Sequence, residues 1–195
     1  MVSLRPMQDT LADYTALQSW FHDPGLQEWV WCDEPGEPPV SLERVMEKYG
    51  PRVKSPTDVF PWFILRNGAP IGFIQYYFSD EATVGLDMWI GSDAERGHGY
   101  GTEALRQMTE LIPQLHPQVR TLFIDPDPAN TQAIRCYLKV GFRDTGKTIW
   151  DDGSECLLLA RGAFSPSGLP DQRAVRPSGL PFSDCYLAIH CRGDL

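Results

Sequence analysis

The sequence lacks several things that would each have named a class of protein. No apolar run approaches the roughly 20 residues that span a bilayer, and the opening "MVSLRPMQDT" has no signal-peptide core, so no membrane partner and a cytoplasmic address are expected. The five cysteines, Cys32, Cys136, Cys156, Cys185 and Cys191, show no C-x-x-C spacing and are odd in number. That argues against a disulfide framework or a zinc site, and His190 beside Cys191 is too thin a cluster to expect a bound metal. Basic charge is also scarce: 17 Lys and Arg against 26 Asp and Glu give a net charge of −9. A nucleic-acid partner normally demands a basic face, so none is expected, while a cationic small molecule is compatible. The oligomeric state is not legible.

What is present is an ordinary globular composition, 42% hydrophobic and 22% charged over 195 residues, enough for one domain with a sizeable core. "VSLRPM" reads as a first strand. A helix follows with Leu11, Tyr14, Leu17 and Phe21 on one face and a Pro-Gly stop at Pro24-Gly25. "SLERVMEKYGP" reads as a helix capped by Ser41, with Leu42, Val45, Met46 and Tyr49 sharing a face and Gly50-Pro51 ending it. Two strands surround an Asn-Gly turn at Asn67-Gly68, and "TVGLDMWIG" makes a third. The next helix carries Ala104, Met108, Leu111 and Leu115 in a stripe, with Pro113 kinking or ending it. "VRTLFI" is a buried-type strand, "NTQAIRCYLKVGF" a helix with Asn130 at its start and Gly141 as its C-cap, and "KTIW", "DDGS", "ECLLLAR" a closing hairpin. The order β-α-α-β-β-β-α-β-α-β-β is that of a mixed α/β domain over residues 1–161. Beyond it, 162–195 repeats a P-S-G-L-P pentamer and reads as a linker-like tail of no assigned role.

One segment asks for a ligand. "SDAERGHGYGTEAL" sets Gly97, Gly99 and Gly101 between a strand and a helix, where unpaired N–H groups and the helix dipole make an anion site. A P-loop needs a lysine after the last glycine, and none follows Gly101. A dinucleotide fingerprint needs G-x-G-x-x-G, and this is G-x-G-x-G with three strands before it. Arg96-x-x-Gly99-x-Gly101 fits the [QR]-x-x-G-x-[GA] signature and resembles the GNAT superfamily of N-acetyltransferases. "NTQAIRCYLKVGF" is similar to that superfamily's second cofactor helix. Asn130 and Tyr137 lie seven residues apart, nearly two turns, so they share a face.

The resemblance narrows through "GLDMWIG", "RGHGYGT", "DPDPAN" and the early "LQEWVW" to the type I aminoglycoside 6′-N-acetyltransferases, and covers residues 1–161. It implies the GNAT fold, a mixed and mostly antiparallel sheet of about seven strands with flanking helices, and acetyl-coenzyme A as cosubstrate. It implies that the backbone of Arg96, Gly97, His98, Gly99, Tyr100, Gly101 and Thr102 holds the pyrophosphate, that Asn130 contacts the pantetheine arm while Tyr137 reaches the thioester end near the sulfur, and that a backbone N–H near Trp89 or Ile90 faces the thioester. Asp87 would bind and deprotonate the amine, and Tyr137 would be the acid. An Asp ordinarily has a pKa near 3.9, far below an alkylamine, so Asp87 acts either by orienting the ammonium or through water. Trp29, Trp31, Asp87, Asp125 and Asp152 would line the acceptor, with Glu28 and Asp33 near the tryptophans. The tryptophans equally suit packing under a loop, and Asp152 equally suits an Asp-Gly turn. One departure stands out: only "SDEATV" links "IQYYF" to "GLDMW", where the family often carries a longer acidic and aromatic segment. Other amines therefore remain alternatives, such as a polyamine, a protein N-terminus or a siderophore precursor. So does a non-catalytic acyl-coenzyme A-binding module.

Overall fold

Strand β1 (Val2–Pro6) leads to Thr10, whose side chain accepts the Asp13 amide and so starts α1 (Leu11–Phe21). The computed structural model describes residues 1–27, 29–30, 40–151 and 154–162; the expected tail lies outside them. The remaining elements are α2 (Pro24–Gln27), α3 (Leu42–Lys54), β2 (Val59–Arg66), β3 (Ala69–Phe78), β4 (Thr83–Ile90), α4 (Tyr100–Leu115), β5 (Thr121–Ile124), α5 (Thr131–Val140), β6 (Arg143–Asp151) and β7 (Ser154–Gly162). The strands form one sheet in the order β1-β2-β3-β4-β5-β7-β6. Every neighbouring pair is antiparallel except β4 and β5, which are parallel. This is the α/β arrangement that the sequence implied.

α1 ends at Phe21, ahead of the expected Pro-Gly stop, but the expected stop at Gly50-Pro51 does not hold, and at Pro113 the helix runs on for two residues. Pro24 and Gly25 begin the short α2, because Asp23 caps it by accepting the Leu26 amide. Helix α3 passes through Gly50 and Pro51 to Lys54, and α4 passes through Pro113 to Leu115. Each proline falls in the last turns, where its missing N–H removes a single ladder bond. Gly50 is buried against the Tyr14 hydroxyl, so its small size serves packing. The expected apolar stripes hold in the middle of each helix and fail at three positions: Leu11, Met46 and Leu115 are exposed.

Alternation along β4 sorts the core onto two faces. Val84 and Leu86 join Ala104, Leu105, Met108 and Ile112 of α4 and Tyr137 and Val140 of α5 in a largely aliphatic cluster, with Met88 and Ile90 packed against it. Trp89 points the other way, into a ring-rich cluster with Trp20 and Phe21 of α1, Tyr49 of α3 and Phe63 and Phe73. Among the described residues no helix is long and apolar enough to cross a membrane.

Candidate active site

The site begins where two strands part. β4 and β5 pair only from Thr83↔Thr121 to Gly85↔Phe123, and past that point β4 has β3 along one edge alone. The Gly91 amide donates across to the Ile71 carbonyl at 2.8 Å. By the alternation of an antiparallel ladder, the backbone groups of Asp87 and Trp89 therefore also face β3, and those of Met88 and Ile90 face the opening. The Ile90 carbonyl accordingly accepts from Arg96 Nε at 3.1 Å.

A 3-10 turn (Asp93–Glu95) and the glycines then carry the chain into α4. Gly97 and Gly99 adopt φ of 78° and 81°, a left-handed conformation that side chains resist, and nothing lies within 4 Å of where a Cβ would stand. The turn is an open cradle. Gly99 is the N-cap of α4 without a side-chain cap, so the first amides of the helix are left for a ligand. On the other side of the opening Asn130 caps α5, accepting the Ala133 amide through Oδ1 at 3.0 Å. Only its amide nitrogen is then suited to donate to a ligand.

These elements enclose a cavity of about 840 Å³. Of the residues the sequence singled out, Trp29, Trp89, Ile90, Arg96, Gly97, Gly99, Tyr100, Gly101, Thr102, Asn130 and Tyr137 line it. His98 does not; its exposed ring stacks on Tyr100 at 5.6 Å between centroids. Asp87 and Asp125 lie behind the lining, 2% and 3% exposed. Trp31, Asp152, Glu28 and Asp33 lie outside the described residues. The lining also contains Arg135 and Lys139, which sequence reasoning passed over. Two bases at i and i+4 on a helix that already carries Asn130 were a readable signal, because that spacing puts both on one face. Cys136 was missed as well; its thiol lies 3.3 Å from the Thr102 hydroxyl, and burial pushes its pKa up.

Asp87 is held from β3: Gln75 Nε2 donates to its Oδ2 at 2.8 Å, and Gln75 is fully buried. Around this pair, Gln75 Oε1, the Tyr49 hydroxyl and the Trp89 indole N–H have no hydrogen-bond partner among the described residues. Buried polar atoms of that kind are rare in a purely structural core. Tyr137 is 4% exposed. Burial, then the neighbouring Cys136, Asp87 and Asp125, raise its phenol far above the usual value, so it keeps its proton at Oη at any working pH. Asp87 sits on the aromatic face and Tyr137 on the aliphatic one, and they meet electrostatically at the split between β4 and β5.

The open cradle, the uncapped helix start and the bases of α5 suit an anionic group at one end of the cavity. The buried carboxylates suit a cation at the other. The cradle therefore fits the pyrophosphate of acetyl-coenzyme A, which when bound supplies an activated acetyl thioester.

The comparisons with known proteins agree. The sequence profile of the Acetyltransferase (GNAT) domain matches residues 9–149. The chain is 34% identical over 176 residues to the aminoglycoside N(6′)-acetyltransferase type 1 of Klebsiella pneumoniae, covering 84% of this chain and 85% of that one. The crystal structure of aminoglycoside acetyltransferase AAC(6′)-Ib with coenzyme A and kanamycin superposes with a TM-score of 0.72 at 28% identity, over 84% of this chain and 95% of that one. A spermidine N-acetyltransferase from Vibrio cholerae also shares the fold, with a TM-score of 0.66 over 83% of this chain and 95% of that one, but at 13% identity the likeness extends to the fold alone. With its cradle, its split sheet and these relatives, the chain belongs to the GNAT family of acetyl-coenzyme A-dependent N-acetyltransferases.

Proposed function

We propose that the amine acetylated is the 6′-amine of an aminoglycoside, and that residues 1–161 form the acetyltransferase unit with 162–195 appended. The observation that carries the reading is the placement of two buried carboxylates, Asp87 and Asp125, beside the Tyr137 end of the cavity. An acceptor bearing several ammonium groups is matched there by fixed negative charge. The relative from Klebsiella, named for that reaction, supports the choice.

In this reading the amides of the glycine turn and of the first turn of α4 hold the pyrophosphate. Arg135 and Lys139 add charge of the right sign. Gln75 fixes one oxygen of Asp87, so the carboxylate presents a set geometry to the incoming amine and either orients the ammonium or takes its proton through water. The Ile90 amide, facing the opening, is the better placed of the two candidate donors, since the Trp89 amide faces β3. Tyr137 holds a proton at Oη for the leaving sulfur. Its raised pKa, above the roughly 8.5 of an ordinary thiol, makes a full transfer uphill, so the phenol acts first as a hydrogen-bond donor. Trp29, which lines the cavity, forms part of a wall for the acceptor rings; the same role read for Trp31 and Asp152 from the sequence falls outside the described residues.

One observation favours a different amine. Residues 79–82 close as a tight turn, with the Ser79 and Asp80 amides both donating to the Thr83 carbonyl and the Asp80 carboxylate accepting from the Ala82 amide. Asp80 is thereby used locally, and the short link supplies no longer acidic and aromatic segment of the kind that would cover an antibiotic. A polyamine is the second reading. Coenzyme A release measured with kanamycin, tobramycin, spermidine, an N-terminal peptide and lysine separates them. Turnover with the two antibiotics and not with the others is expected. Turnover confined to the other amines would overturn the aminoglycoside reading.

A further inference from the structure

Arg96 opens the glycine turn, yet its guanidinium is engaged away from it. Nη2 donates to Asp23 Oδ1 at 2.7 Å while Nε holds the Ile90 carbonyl. The pair is shielded, with side chains 20% and 21% exposed, which makes it worth more than a surface ion pair. The guanidinium lies directly over Gly25, leaving no room for a Cβ there.

Asp23 has a second role at the same atom. Oδ1 also accepts the Leu26 amide at 3.1 Å, and its carbonyl accepts the Leu26 and Gln27 amides, so it caps the four-residue α2. The Trp29 and Val30 amides in turn donate to the Leu26 carbonyl at 2.9 and 2.8 Å. A single-turn helix has little stability of its own. Its position follows whatever its cap is tied to, and the cap is tied to the glycine turn. A neighbouring contact reinforces this: the Trp20 ring of α1 lies flat against Gly91, where a Cβ would collide. Leu26, Trp29 and Val30 line the same cavity as Gly97 and Gly99.

We infer that Asp23 is a positioning residue that, through Arg96, couples occupancy of the glycine turn to the order of the acceptor wall at α2 and Trp29. The inference rests on the reading of Trp29 as part of that wall. A ligand that orders the turn fixes Arg96, hence Asp23, hence α2, and by linkage an acceptor held by the wall strengthens cofactor binding by the same factor. No part of this needs the Arg96 side chain to touch the cofactor.

Asp23→Asn tests it, because asparagine caps a helix about as well as aspartate but carries no charge for Arg96. Hydrogen–deuterium exchange of the full chain is followed with and without coenzyme A, beside steady-state kinetics. In the wild type, coenzyme A is expected to slow exchange in peptides covering the glycine turn and also in those covering α2 and Trp29. In Asp23→Asn only the turn is expected to slow, the KM for kanamycin to rise about fivefold or more, and kcat to change little. Arg96→Gln is expected to lose the same α2 protection. A purely structural role would lower the melting temperature of Asp23→Asn but leave the α2 response and the KM intact, and that result overturns the inference. The exchange arm needs no acceptor. If kanamycin is not a substrate, the aminoglycoside reading falls, while the α2 response still decides the coupling.

Discussion

The two faces of the sheet are filled with different material. Under α4 and α5 the packing is Ile, Leu, Val and Met, and most of its buried groups have nothing to hydrogen-bond. Under α1 and α3 the packing is rings: Phe73 stacks on Trp89 with centroids 4.5 Å apart, Tyr49 meets Phe73 edge-on at 5.6 Å, and Phe21 tilts against Trp89 at 5.8 Å. That aromatic face also buries Asp87, Gln75 and the Tyr49 hydroxyl. Rings give large contact area with few rotamers, so they hold polar neighbours in fixed places. The aliphatic face is the packing under α4 and α5 and includes Tyr137, while the aromatic face buries more polar groups, which suits the role proposed for Asp87. A buried polar atom without a partner costs about 1–3 kcal/mol, which a scaffold alone gives no reason to tolerate.

The comparison breaks most sharply at Asp87. Asp87→Ala is expected to lower kcat about 100-fold or more and Tyr137→Phe about tenfold or more, the range for loss of a positioned proton-transfer group. The dissociation constant for coenzyme A, read by calorimetry, is expected to stay within about twofold in both, since neither group belongs to the glycine cradle. Melting temperature sharpens the contrast: removing a carboxylate from a buried site is not expected to cost stability as truncating a core residue such as Leu105 would, where about 2–5 kcal/mol is usual for Leu→Ala. Near-normal turnover in Asp87→Ala would mean that the polar groups of the aromatic face serve the fold, and near-normal turnover in Tyr137→Phe would remove the phenol from the chemistry.

What could be read from the sequence was local. The glycine turn, the Asn130 cap, the Tyr137 spacing and Gly141 at the end of α5 are each written within a dozen residues, and the structure places them as expected. The order of elements along the chain was legible from the same local signals, while the sheet came through the resemblance. The illegible parts join distant residues. Gln75 meets Asp87 only through the β3–β4 register, and Asp23 meets Arg96 across 73 positions. The end of α3 was misjudged at Pro51 for a related reason. Local rules state what a proline costs, but tertiary packing decides whether the helix bears that cost in its last turn. Trp89 shows the mixed case: its place beside Asp87 was legible, while the direction of its amide needed the ladder.

A smaller effect is expected at the cradle. At Gly99, where φ is 81° and space is open, Gly99→Ala carries a conformational cost alone, about 1–2 kcal/mol. The KM for acetyl-coenzyme A is expected to rise several-fold, with the KM for the amine moving less. Gly101→Ala offers a control of another kind, because φ is not the obstacle there and the new methyl's one tight contact is the end of the Met88 side chain at 3.1 Å, with Ile90 at an ordinary 3.7 Å. Its effect is expected to be weaker. Equal effects would mean that crowding, and not backbone conformation, governs the turn.

The smallest effect concerns an exception at the edge of the aliphatic face. There His116, which ends α4, lies among the rings of Phe60, Tyr76 and Phe78, with Nε2 hydrogen-bonded to the Tyr76 hydroxyl at 2.9 Å. Burial pushes the Tyr76 phenol up to about 12, so it stays neutral, and burial lowers the His116 pKa below its ordinary value. The sign follows from which state takes up the proton first. As pH falls through about 6.5 the unfolded chain protonates at this position before the folded one, so the contribution of His116 to stability is present above that pH and is lost as pH drops to the folded pKa. His116→Gln removes the titration while keeping a polar group. The gap in melting temperature between wild type and variant is therefore expected to narrow from pH 7.5 to pH 5, with kcat unchanged at both. A gap that stays constant would show that His116 titrates alike in both states. A change in kcat would show that this edge of the aliphatic face, away from Tyr137, also reaches the chemistry.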